Sequence, residues 1–393
     1  MKLQPLFIAG VLALVVSACG KQDNSQLDGH YENSTSQKAD AFAGAQVLPP
    51  EYAPVQSVIV SQPLLTNYGR EDLVKAILDA GADSVLMAVP RGSSTSTSSF
   101  PYNALNQLLG NRISQVKLVP QKDSGSLTVW ARDWSPLPAL TSDGSIRLLD
   151  LNYYPYRPAD DSMARTLEAT YGYSRVSVPI YNEGGNFMNN SRRECLMTTR
   201  VTDANAQKTV ADDLVLDAEQ VKSYYEGFGG CTKVTIFPRM PNEKTGHIDM
   251  WGKFLTDDTV IVNEVTNETI AYASNSSARS FALTIQAFMN SRAAEIEALG
   301  YTVVRVPMPL PRSGLFRSYT NSLLVNGTAI ITDYVESGYP DDALMAGYKA
   351  KAKKIYENLG YKTVWIPSDE LIATGGAVHC VTMQIPKPIP TRL

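Results

Sequence analysis

A short pattern recurs along this chain: a helical stretch, a glycine, a β-branched run and a proline. The clear copies are Gly172-Tyr-Ser-Arg-Val-Ser-Val-Pro179, Gly300-Tyr-Thr-Val-Val-Arg-Val-Pro307 and Gly360-Tyr-Lys-Thr-Val-Trp-Ile-Pro367. Looser copies run from Gly230 to Pro238 and from Gly110 to Pro120. Glycine suits a helix C-cap, the valine-rich alternation reads as strand, and proline marks the strand end. Apolar residues at three- and four-residue spacing predict helices over 277–299 and 341–359, with shorter ones over 160–171 and 217–227. A helix over 70–80 followed by a strand over 85–89 opens the series, and shorter strands are expected at Val58-Ile-Val-Ser, Lys253-Phe-Leu, Val260-Ile-Val and Ala329-Ile-Ile. The reading is an α/β fold of five similar units, a self-similarity that suggests a propeller or solenoid. It also explains how a folded part of about 340 residues can be one domain, although that length exceeds a usual single core.

The N-terminus reads differently. Residues 1–18 combine basic Lys2, an apolar run from Leu6 to Val16 and the small pair Ser17-Ala18, which is the pattern of a secretory signal. Val16-Ser17-Ala18-Cys19-Gly20 resembles a bacterial lipobox, so Cys19 is the expected lipidation site, and Gly20 suits outer-membrane sorting in a Gram-negative envelope. Residues 19–50 are polar and are expected to form a lipid-anchored tether. The folded domain is then expected over 51–393. Cys195 and Cys231 are left as a pair that an oxidising compartment could join, though sequence does not give their distance. Cys380 is left over as an odd thiol. A net charge of −4 gives no basic footprint for nucleic acid.

Polar residues cluster just downstream of the repeat prolines: Trp130-Ala-Arg-Asp133, Asn182-Glu183-Gly-Gly-Asn186, Gly246-His247-Ile-Asp249, Tyr319-Thr-Asn321 and Gly375-Gly-Ala-Val-His-Cys380. Five units around an axis would bring these segments to one end of it. Each residue also has an ordinary structural explanation. Asp133 could pair with Arg132, Glu183 could cap a turn, His247 could be a satisfied core histidine, Asn321 could serve a turn and Cys380 could be a small buried hydrophobe. It is their recurrence at one place in successive units that argues for a site. Read as strand, 247–249 puts His247 and Asp249 on one side. Read likewise, His379 faces away from Cys380 and is structural.

Those five motifs, in this order, resemble the guanidino-group-modifying (pentein) enzymes, in particular the agmatine deiminase and Porphyromonas-type peptidylarginine deiminase branch, over residues 55–388. The resemblance implies a five-bladed α/β propeller of pseudo-fivefold symmetry. It implies Cys380 as nucleophile, His247 as general acid/base, Asp133 and Asp249 as carboxylates gripping the guanidinium, and Glu183 as the group orienting the histidine. Asn321 and Trp130 are implied as supporting residues. Arg157, in Arg157-Pro-Ala-Asp-Asp161, matches an arginine that contacts a peptide's C-terminal carboxylate in Porphyromonas-type enzymes, whereas Pro155 replaces a second arginine. The activity implied is hydrolysis of a guanidino group to a ureido group plus ammonia through a cysteine adduct, with no metal or organic cofactor. Arginine in peptides is the expected substrate. The alternatives are agmatine, a transferase or dihydrolase on the same scaffold, a non-catalytic guanidine-binding lipoprotein and a structural envelope protein.

Overall fold

A computed structural model describes residues 46–207 and 214–390. The expected signal segment, Cys19 and most of the tether lie outside the described residues. Five small mixed sheets form the blades of an α/β propeller. Four share one plan, in which a short inner strand runs antiparallel to a central strand and an outer strand runs parallel to it. These are Leu137–Thr141, Ile146–Asn152 and Ser174–Tyr181; Met188–Asn189, Glu194–Thr198 and Lys233–Phe237; Gly252–Phe254, Thr259–Glu264 and Thr302–Pro307; and Leu323–Val325, Thr328–Asp333 and Lys362–Pro367. The remaining blade takes its inner strand, Met383–Pro386, from the C-terminus. That strand pairs antiparallel with Val55–Ser61, which continues in parallel to Ser84–Val89 and Val116–Pro120. The ring is therefore closed by a pairing between the two ends of the domain.

Helices Ser276–Ala298 and Asp342–Asn358 cross from central to outer strand in the last two blades, close to the ranges expected. The glycine that begins each outer-strand repeat has positive φ at every copy: Gly110, Gly172, Gly230, Gly300 and Gly360. A side chain there would be strained, which explains the glycine in each repeat. Central strands such as Thr328–Asp333 are buried along their whole length, with an apolar centre in Ala329-Ile-Ile331. The outer strands Lys233–Phe237, Thr302–Pro307 and Lys362–Pro367 are exposed where they begin and become buried towards the repeat proline. Each therefore hands the chain inward at the proline, and the next segment enters the centre of the ring.

Described residues also lie ahead of residue 51, where the folded domain was expected to begin. Gln46–Val47 pairs antiparallel with Leu140 and Thr141. The Gln46 side chain is buried, donates to the Phe228 carbonyl at 2.6 Å and accepts from Arg147 Nη1 at 2.8 Å. These long-range partners hold a polar segment that could not order itself.

Cys195 and Cys231 form a disulfide with a Cα–Cα separation of 6.0 Å, tying the central strand of one blade to the residues preceding its outer strand. The closed loop spans 36 residues, for which stabilisation of about 2–4 kcal/mol is expected. Cys195→Ala/Cys231→Ala is therefore expected to lower Tm by several degrees in thermal unfolding. The same fall should follow reductant treatment of the unaltered protein, and reductant should have no further effect on the double variant.

Candidate active site

Each segment that follows an outer strand makes a tight turn before entering the next inner strand. Asp133 lies on the single helical turn Ala131–Trp134, with Trp130 at its N-cap. Glu183 precedes the 3-10 turn Gly184–Asn186, and its side chain makes no capping bond. His247 precedes the 3-10 turn Ile248–Met250, which carries Asp249. Asn321 lies just before Leu323–Val325, and Cys380 just before Met383–Pro386. The five motifs thus occupy equivalent places in the five blades.

Two expected local geometries are corrected. Asp249 sits in a 3-10 turn and His247 immediately precedes it, so the two do not lie on one strand. They nevertheless converge: a Cβ built on Gly185 would lie 2.6 Å from His247 Nδ1, 2.9 Å from Asp133 Oδ1 and 3.0 Å from Asp249 Oδ2. Only glycine fits there. Cys380 also lies in a turn, because strand pairing starts only at Met383. The argument that His379 faces away from the thiol therefore fails. His379 Nδ1 donates to Asp249 Oδ2 at 2.7 Å, and the Cys380 thiol points to the same oxygen at 3.5 Å. A Cβ on Gly376 would lie 2.6 Å from Cys380 Sγ and 2.8 Å from the Trp130 ring, so the backbone there packs directly against the sulfur.

His247 Nε2 lies 2.7 Å from Glu183 Oε2, and its Nδ1 lies 3.6 Å from Asp133 Oδ1. Nδ1 is buried without a hydrogen-bond partner, so this is not a satisfied core histidine. Burial alone would lower the pKa of His247, but the carboxylates of Asp133 and Glu183 outweigh it and raise the value to about 10. Burial pushes Asp133 up, with His247 opposing. Glu183 goes down, because His247 overcomes the effect of burial. Arg200 joins this group, with Nε 3.3 Å from Glu183 Oε2 and Nη2 donating to the Tyr154 and Tyr181 hydroxyls at 2.8 and 3.1 Å.

Asn321 Nδ2 donates to Cys380 Sγ at 3.2 Å. Burial, then the charges of Asp249 and Asp133, raise the pKa of the Cys380 thiol well above its ordinary value. Asp249 goes the other way: His379 overcomes the effect of burial and holds it low. Asp249 Oδ1 is buried with no partner. Arg132 does not pair with Asp133. Its Nη1 reaches Glu51 Oε1 at 3.2 Å, and its backbone N–H donates to the Cys380 carbonyl at 3.0 Å.

A cleft of about 200 Å³ opens over the thiol, lined by Trp130, Asp133, Tyr153, Arg157, His247 and Cys380 among others. Arg157 stacks at 5.6 and 5.8 Å on Tyr154 and Tyr156 and lies 3.9 Å from Asp160. The cluster can hold a planar cation between two carboxylates, in front of a thiol and beside an acid.

Sequence reasoning did not select Glu51, Lys253 or Arg200. Lys253 left one signal, a lone cation in the apolar strand Gly252–Phe254. Glu51 left none, since it was read as the first residue beyond a tether.

Residues 48–386 match the family described as Porphyromonas-type peptidyl-arginine deiminase. A protein named "Putative agmatine deiminase" from Shewanella baltica (strain OS223) is 25% identical over 292 residues, covering 65% of this chain and 73% of that protein. Among solved structures, the "Putative Arginine Deiminase from Porphyromonas gingivalis" superposes with a TM-score of 0.68 at 18% identity, covering 88% of this chain and 100% of that one. The C. jejuni agmatine deiminase gives a TM-score of 0.66 at 15% identity, covering 88% and 97%. With the ring of five blades and the cluster at its centre, a match over nearly the whole folded region shows that the chain belongs to the Porphyromonas-type peptidyl-arginine deiminase family, hydrolases acting on amidines.

Proposed function

We propose that this protein hydrolyses a terminal guanidino group to a ureido group and ammonia through a covalent adduct on Cys380. The observation that carries this reading is the meeting of a free buried thiol, an acid-bearing histidine and two carboxylates, Asp133 and the buried Asp249, at one end of the ring. Asp133 and Asp249 match a guanidinium in charge and in the direction of its N–H donors. The bound cation offsets the two charges that hold the thiol protonated, so Cys380 releases its proton to solvent through the open cleft as substrate binds, His247 being already protonated. The thiolate attacks the guanidinium carbon, forming a C–S bond and a neutral tetrahedral adduct. Protonated His247 transfers its proton to the departing nitrogen, the C–N bond breaks, and ammonia leaves a thiouronium. Neutral His247 then takes a proton from water as the oxygen adds to the same carbon. Cleavage of the C–S bond, with the hydroxyl proton returning to sulfur, releases the urea.

Glu183 is assigned to holding His247 in its acid form. Glu183→Gln is expected to move the alkaline limb of the kcat/KM profile down by about one pH unit or more, because the lost carboxylate had raised the pKa of His247. The linked stability has the same sign. It is fully present below the ordinary histidine pKa of about 6.5 and is lost as pH rises through about 10. An unmoved alkaline limb would remove this role.

Two substrates have support. The relatives named above favour agmatine. The rim favours a guanidine whose far end is not a second cation. Arg157 and Lys244 line the mouth, and the carboxylates there, Asp133 and Glu183, already face His247 and Arg200. An arginine within or ending a peptide meets that condition. The test is ureido and ammonia release from agmatine, free arginine, an internal-arginine peptide and a C-terminal-arginine peptide. Turnover of agmatine alone would place the enzyme in amine metabolism. Peptide turnover that weakens in Arg157→Ala would assign protein arginine. No product from any of the four would overturn the deiminase reading.

A further inference from the structure

Behind the cluster runs a second chain of buried polar groups that the proposed chemistry does not use. His379 Nδ1 donates to Asp249 Oδ2 at 2.7 Å, and its Nε2 pairs with Glu51 Oε1. Glu51 also pairs with Lys253 through Oε2 and with Arg132 at 3.2 Å through Oε1. His379, Asp249 and Lys253 are all buried. Both ring nitrogens of His379 face carboxylate oxygens, Asp249 Oδ2 on one side and Glu51 Oε1 on the other. The backbone N–H of His379 donates to Asn321 Oδ1 at 3.1 Å, and Asn321 Nδ2 donates to Cys380 Sγ. One end of this network thus holds Asp249 and the sulfur in fixed relation. The other end rests on Glu51, in the segment that enters the fold ahead of Val55–Ser61.

A terminal carboxylate turns about a soft torsion. With Oδ2 tied to His379, Asp249 presents Oδ1 in one orientation, and Oδ1 has no hydrogen-bond partner among the described residues. We propose that His379, braced by Glu51, is a positioning residue that aims Asp249 Oδ1 at the guanidinium. The inference rests on the deiminase reading. Among the described residues, Glu51 brings the N-terminal segment into the site from behind, and the histidine next to the nucleophile acts through Asp249 rather than on the reacting carbon.

The test measures the grip on a cation without requiring turnover. Cys380 is alkylated by 2-chloroacetamidine, a planar cation, and by 2-chloroacetamide, its neutral counterpart, and the ratio of the two rates is taken. In the unaltered protein the cation is expected to react faster. His379→Asn places an amide N–H near the former Nδ1 and is expected to keep the ratio within about threefold. His379→Gln places its amide near the former Nε2, away from Asp249, and is expected to lower the ratio roughly tenfold or more. Glu51→Gln, which keeps the shape of the side chain, is expected to lower it about threefold and gives the reading if a His379 variant does not fold. Equal retention or equal loss in His379→Asn and His379→Gln would overturn the proposal, as would an unchanged ratio in Glu51→Gln or no cation preference in the unaltered protein. Because alkylation is read directly, absence of ureido product from any guanidine would defeat the deiminase reading while leaving this ratio measurable.

Discussion

Cys380→Ala is expected to reduce ureido formation by at least about 10⁴-fold while leaving a folded protein that still binds guanidines. The sulfur is the group to which the proposed scheme assigns the bond to the substrate carbon. It is buried in a turn, is not in a disulfide, and is held by Asn321 on one side and Asp249 on another. Its resting state is a thiol, because burial and the charges of Asp249 and Asp133 all disfavour the thiolate. A serine at this place would carry a hydroxyl under the same influences with a far higher starting pKa, so Cys380→Ser is expected to be as inactive as the alanine variant. The check is ureido release by both variants against the unaltered enzyme, with binding of the best substrate measured by calorimetry in Cys380→Ala. Retained turnover in either variant would remove the nucleophile from the scheme.

Asp249→Asn is expected to lower kcat/KM roughly 10²–10³-fold, the scale of losing one preorganised charge partner. The same change removes one of the two charges that raise the pKa of Cys380. The thiol is therefore expected to react faster with a neutral alkylator at a given pH, even as turnover collapses. These opposite effects would separate the two parts proposed for one carboxylate: gripping the cation, and keeping the thiol protonated until the cation arrives. Parallel loss of turnover and of thiol reactivity would mean instead that the site had come apart.

The outer strands were readable because each copy carries its own local signals, a glycine at positive φ, a β-branched run and a proline. The motifs after the prolines were readable for the same reason, since each follows a strand that runs inward. Reading failed where partners are remote or burial is complete. The closing strand Met383–Pro386 pairs with Val55–Ser61, a contact between opposite ends of the fold that no local pattern announces. Glu51 meets His379 across 328 residues of sequence. Around Cys380 the chain reads as strand from its sequence. Val378 and Val381 are instead fully buried in a turn, where every side chain faces the interior and alternation carries no directional meaning. The direction of His379 was misread for that reason.

The covalent step is open to direct observation. The enzyme is mixed with its best guanidine, quenched in acid during steady turnover and digested, and the peptide containing Cys380 is weighed. A fraction of that peptide is expected to be heavier by the substrate less one ammonia, to be absent in Cys380→Ala, and to disappear when substrate is exhausted. Continued turnover with the Cys380 peptide unmodified at every quench time, or with the added mass on another residue, would contradict the mechanism.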